Sequence, residues 1–193
     1  MEKATLKDDF RVIVVGGSAG SLEVIIAMLS ELTNEKLAII LIIHRIGSIY
    51  SALADLLNLK TKMIVKEAEE KEFIQPGTVY IAPADYHMLI ERNGMVSLDY
   101  SEKINFSRPS IDVTFDCAAS VFGNRVVGIL LSGGNADGVL GLKAIKRAGG
   151  MCVVQDPESA LVSFMPQHAM NELQVDRKLG MGEMAAFLNG IPY

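Results

Sequence analysis

The sequence predicts an α/β protein: a doubly wound, mostly parallel sheet with helices on both faces and a small antiparallel hairpin insertion. Three observations carry this. Val12-Ile13-Val14-Val15 runs into glycines and then into a helical pattern, with Leu22, Ile25, Ile26 and Leu29 at i, i+3, i+4 and i+7. The apolar run over residues 37–43 is continuous rather than alternating, as expected of a strand buried on both faces of a parallel sheet. Another continuous run, residues 126–131, leads into a glycine-rich loop and a helix, repeating the opening logic in the second half.

Taken in order, strands over 11–16 and 37–43 bracket the first helix as a βαβ unit, and the second strand ends at His44-Arg45. A short helix is expected over 51–57 and a strand near 63–65. The charged stretch 66–72 reads as a solvated surface connection. From Gly77 the pattern changes to short strand-like pieces at 79–82 and 87–91. Asn93-Gly94 then signals a hairpin before 95–98, and these pieces together read as the antiparallel insertion. Ser110 can cap a helix reaching about Phe122, with Ile111, Phe115 and Ala118 or Ala119 facing inward. After the 126–131 strand come the loop 132–138, a helix to Ala148 closed by Gly149-Gly150, and a strand over 151–155. Met165-Pro166 opens a short helix, and the last helix covers 182–188.

The bulk properties narrow the class. A chain of 193 residues suits one domain, large enough to bury roughly 70% of its unfolded surface. The formal net charge of -5 argues against a nucleic-acid partner, which favours a basic face. No apolar stretch approaches the roughly 20 residues of a membrane span. The segment 1–9 is polar, without the pattern of a signal peptide, so a cytoplasmic location is expected. Cys117 and Cys152 stand in apolar surroundings and read as core residues rather than a disulfide or metal pair.

Sheets of this class bind ligands beyond the carboxyl ends of their strands, and Ser18, His44 and Asp137 all fall at such ends. The turn Gly16-Gly17-Ser18-Ala19-Gly20 fits G-x-S-x-G, a sharp strand-to-helix turn that projects a serine over the first amides of a helix. The alternatives are a serine that only caps the helix, or a phosphate cradle. The dinucleotide pattern G-x-G-x-x-G fails at Ser18, and no acid ends the second strand, where only Arg45 could serve a 2′-phosphate. The phosphate-loop lysine is missing as well. The histidines lack metal-ligand spacing. Of the three, His44 ends the strand expected beside that of Ser18, whereas His87 starts a hairpin strand and His168 lies in a short helix. Asp137 is placed as an N-cap, yet its loop is longer than a cap requires, and its carboxylate could orient His44 as a base toward Ser18. Asp85, Asp112 and Asp156 are the alternative acids.

Six stretches in order, VVVGGSAGSLEVI, LIIHR, PGTVYIAPADYHMLIE, INFSRPSIDVTFDCAA, GILLSGGNADGVLGLKAIKRAGG and VVQDPESALVSFMPQHAM, resemble the catalytic domain of chemotaxis protein-glutamate methylesterases of the CheB type, from about residue 11 to 188. The resemblance implies a serine hydrolase with Ser18 as nucleophile, His44 as general base and Asp137 as its orienting carboxylate. It implies demethylation of glutamyl methyl esters on the helices of methyl-accepting chemoreceptors, with deamidation of particular glutamines as a further activity. No metal or organic cofactor, nucleic acid or membrane insertion is implied. A receiver domain, which full-length members carry at their N-terminus, is not expected in this chain, whose catalytic strand begins at about Arg11. The chain departs from the family's G-A-S-T-G-G at Ala19 and Ser21. It departs from Q-H-M-P around His44, where Arg45 follows, and from T-G-M-G-x-D-G at Gly134 and Asn135. The other function class is a binding or adaptor module that keeps the fold, with Ser18 reduced to a helix cap.

Overall fold

The computed structural model describes residues 10–44 and 50–192; Met1 to Asp9 and Arg45, on which expectations were placed, lie outside them. Seven parallel strands form one sheet: β1 (Arg11–Gly17), β2 (Leu37–Ile43), β3 (Ile64–Glu67), β4 (Thr78–Ile81), β7 (Val126–Leu130), β8 (Met151–Gln155) and β9 (Arg177–Leu179), in the order β3-β4-β2-β1-β7-β8-β9. A separate antiparallel hairpin joins β5 (His87–Ile90) to β6 (Val96–Asp99). The α/β class with its hairpin insertion is therefore the observed one.

Alternation along the strands splits the core in two. Val12, Val14, Ala38 and Ile40 point to one face, covered by α3 (Ile111–Phe122), α4 (Val139–Arg147), α5 (Phe164–Glu172) and the hairpin. Ile13, Val15, Ile39 and Leu41 point to the other, under α1 (Ser21–Ser30), α2 (Tyr50–Asn58) and α6 (Met184–Asn189). All seven residues of β2 are buried, as its unbroken apolar run requires. The chain builds outward from β1 through β2 on one side and from β1 through β7 on the other. The switch point, where sheets of this class bind their ligands, therefore lies between the carboxyl ends of β1 and β7.

Four points of the sequence reading need correction. The strand at Thr78–Ile81 belongs to the main sheet, paired in parallel with both β2 and β3, not to the insertion. The edge strand β9 has no counterpart in the sequence reading, because Arg-Lys-Leu carries no apolar run and its first two residues are exposed. The charged stretch 66–72 does more than meet solvent. Lys66 pairs with Glu69 and Glu72, each at 2.9 Å, and a Glu70 carboxylate oxygen accepts from the Leu98 N–H at 2.6 Å. The Glu70 contact fastens the exit of β3 to the hairpin. The last helix also begins slightly later than expected, after a 3-10 turn over Met181–Glu183.

Candidate active site

The turn after β1 forms because nothing larger fits. A β-carbon on Gly17 would stand 2.4 Å from that of Ser21, and Gly20 holds φ at 81°, in the left-handed region. Gly20 is the N-cap of α1, and no side chain caps that helix. Ser18 is thus not the helix cap that the adaptor reading supposed. Its backbone is fixed from both sides: its N–H donates to Ser132 O at 2.9 Å, and its carbonyl accepts from the Ser21 N–H and hydroxyl at 3.1 and 2.7 Å. Ser18 is half-buried, and among the described residues its hydroxyl makes no hydrogen bond, to His44 or to any other group.

His44 stands beside it through sheet register. Gly17 and Ile43 are paired across β1 and β2, and the His44 N–H donates to Gly17 O at 3.0 Å. Ser18 and His44 are the next residues on two strands roughly 4.8 Å apart. The His44 ring directs Nε2 to Asp137 Oδ2 at 2.9 Å and Nδ1 to the side-chain nitrogen of Asn135 at 3.3 Å.

Asp137 is fully buried, and its surroundings were only partly legible. The sequence suggests a cap for the helix that follows, but Gly138 is that N-cap, and the carboxylate instead sits on the start of α3. Oδ2 accepts from the Ile111 N–H at 2.7 Å besides His44. Oδ1 accepts from the Ser110 hydroxyl at 3.0 Å, the Asp112 and Gly138 N–H groups at 3.1 Å, and Asn105 Nδ2 at 3.2 Å. Burial opposes the charge, but the His44 contact and the Ile111 and Asp112 amides outweigh it and hold this carboxyl down to about 2. The positive end of α3 acts in the same direction. Asp137 is therefore an ionised acceptor, so Nε2 of neutral His44 carries the hydrogen and Nδ1 bears the lone pair.

Asp112 lies close behind. It accepts from the Gly141 N–H at 2.7 Å and shares the Asn105 amide with Asp137, at 3.2 Å. Burial, aided by the Asp137 charge, pushes its carboxyl up to about 6. It does not touch His44. Between about pH 6 and about pH 4 the folded state takes up a proton on Asp112 that the unfolded chain does not hold, so stability rises as pH falls across that window. Urea unfolding followed over that window should show a gain on the order of 1–2 kcal/mol. In Asp112→Asn, which can still accept from Gly141, the slope should vanish.

The remaining candidates fall away. Both nitrogens of buried His87 serve structure: Nδ1 accepts from the Ser110 N–H at 3.1 Å, and Nε2 meets Glu102 O at 2.9 Å. His168 stacks on Phe164 on α5. Asp156 pairs with Lys178 at 3.0 Å, and Asp85 occupies a turn at φ 61°. Cys152 is a buried free thiol and Cys117 a partly buried one. Among the described residues no three His, Cys, Asp or Glu side chains gather as a metal site, and no helix is long and apolar enough to cross a membrane.

Sequence reasoning missed three supporting residues. Asn105 and the hydroxyl of Ser110 hold Asp137, and buried Ser132 ties the Ser18 turn to the loop before α5. The Ser132 hydroxyl donates to Ala19 O at 2.7 Å and accepts from the Val162 N–H at 2.9 Å. Ser110 had a capping signal, which the structure bears out through a bond to the Val113 N–H. Nothing local marked Asn105.

Comparison with known proteins places the fold in a family. The CheB methylesterase family model matches residues 13–188. A Leptospira interrogans protein with a provisional protein-glutamate methylesterase/protein-glutamine glutaminase name is 41% identical over 182 residues, covering 92% of each chain. A Chromohalobacter salexigens protein-glutamate methylesterase/protein-glutamine glutaminase is 36% identical, over 87% of this chain and 48% of its own. The crystal structure of the Thermotoga maritima CheB methylesterase catalytic domain superposes with a TM-score of 0.89 at 32% identity, covering 93% of this chain and 97% of that one.

Proposed function

The chain belongs to the CheB methylesterase family, and on that premise we propose that it hydrolyses glutamyl methyl esters on chemoreceptor helices in the cytoplasm, with Ser18 as nucleophile, His44 as base and Asp137 as its orienting anion. The observation that supports this most is the buried, ionised Asp137 bonded to His44 at 2.9 Å, next in register to a serine whose hydroxyl makes no hydrogen bond among the described residues.

In the first half-reaction the Ser18 hydroxyl oxygen bonds to the ester carbonyl carbon while its proton passes to His44 Nδ1. Collapse of the tetrahedral intermediate breaks the bond to methoxide, which takes that proton and leaves as methanol. Water then attacks the Ser18 ester, again giving a proton to Nδ1. That proton returns to the Ser18 oxygen as the glutamic acid side chain departs and releases its remaining proton to water. A glutamine side chain follows the same course with ammonia as leaving group. Asp137 stays ionised throughout and offsets the imidazolium charge. The Ala19 and Gly20 N–H groups, which make no hydrogen bond among the described residues, are donors for the oxyanion, each worth about 3 kcal/mol in such sites. Leu161, 79% exposed and close against Gly20, offers apolar surface to a substrate helix.

The test is methanol release from a methylated receptor cytoplasmic fragment. The protein should release methanol stoichiometrically with new glutamate carboxylates. If a methylesterase of the same family demethylates that fragment and this protein leaves it intact, the substrate assignment fails.

A further inference from the structure

The hydrogen bond between Asn135 and His44 is unaccounted for by the reaction just described. We propose that Asn135 is a latch on the base: its side-chain amide occupies His44 Nδ1, and the triad becomes competent only when that bond is exchanged for one from Ser18. The inference rests on the reading of His44 as general base.

Three facts combine to give it. Nε2 is committed to an ionised carboxylate at 2.9 Å, so Nδ1 is the sole basic nitrogen of the ring. The orientation of Asn135 is set by its other end, where Oδ1 accepts from the Asp137 N–H at 3.1 Å in a local Asx turn. That leaves Nδ2, a donor without lone pairs, facing Nδ1 at 3.3 Å. An imidazole lone pair lies in the ring plane and takes one well-directed donor. Ser18, next in register to His44 across the β1 and β2 ends, has no hydroxyl hydrogen bond to the ring. The arrangement is a resting state in which the base is preoriented but blocked.

A side chain that merely supported the loop would lower activity when removed; a latch does the reverse. Asn135→Ser keeps an oxygen able to accept from the Asp137 N–H in the same kind of turn, but is too short to reach Nδ1. Asn135→Ala removes both contacts. With a small fluorophosphonate probe, whose attack by Ser18 needs no receptor helix, Asn135→Ser should label about three- to ten-fold faster than the wild type, the size of one net hydrogen bond. An equal or slower rate overturns the latch. The wild type supplies a readout that survives any folding failure of the variants. Nitrogen-15 NMR should show His44 as the Nε2–H tautomer, with Nδ1 accepting a hydrogen bond from the Asn135 amide. A Nδ1–H tautomer, or no coupling between the two side chains, also overturns it. If neither wild type nor variant labels at Ser18, the hydrolase reading fails and the latch with it, whereas labelling of the wild type with no Asn135–His44 bond by NMR overturns the latch alone.

Discussion

Ser18→Ala should abolish turnover and leave the fold untouched. Removing the nucleophile of a serine triad lowers kcat by about 10^4- to 10^6-fold, and what remains comes from binding and oxyanion donors. The stability side is as specific. The Ser18 hydroxyl makes no hydrogen bond among the described residues, and the turn is held instead by its backbone, by Ser21 and by Ser132. Thermal unfolding of the variant should therefore match the wild type within about 0.5 kcal/mol, as for a substitution that removes no buried contact. Methanol release and fluorophosphonate labelling check the first half, calorimetry the second. Near-wild-type methanol release by the variant would remove Ser18 from the mechanism.

Asp137 should behave in the opposite manner, failing in both respects at once. Asp137→Ala deletes the acceptor for His44, the Ser110 hydroxyl, the Asn105 amide and the N–H groups of Ile111, Asp112 and Gly138. Stranding buried donors on this scale costs about 3–5 kcal/mol. Asp137→Asn keeps the shape but turns one oxygen into a donor. Where the new amide faces Nε2 it favours the tautomer with hydrogen on Nδ1, and the base is lost; the comparable change in a serine protease costs about 10^4-fold in kcat.

The pH signature separates charge from shape. The Asp137 carboxyl is held at about 2, below its unfolded value near 4, so its contribution is present above pH 4 and is lost as pH falls through 2. Urea unfolding of the wild type should lose about 2 kcal/mol across that window, and Asp137→Asn should not. Since Asp112 acts with the opposite slope between about pH 6 and 4, this carboxylate pair by itself places its optimum near pH 4.

The strand–turn–helix at the start of the chain was legible because local rules agree there: β-branched residues, glycines where the backbone closes up, and a helical apolar face. The same holds for β2, whose continuous apolar run can be satisfied only by burial on both faces. The Ser18 and His44 positions follow from strand ends and neighbouring strands, so register carried them. The seat of Asp137 was out of reach. Four of its six donors come from residues 105 to 112, far away in sequence, and a carboxylate resting on another helix's amides leaves no periodic trace. Short β9, with two charged residues out of three, lay below what any apolar pattern can register.

The six donors gathered on Asp137 separate the history of this site from its chemistry. A descendant that stopped hydrolysing esters could shed Ser18 without harm, whereas its aspartate would be retained by folding alone. Among proteins of this shape, then, the serine is the informative marker of a working esterase. The acid reports only that the loop after β7 is still moored to α3.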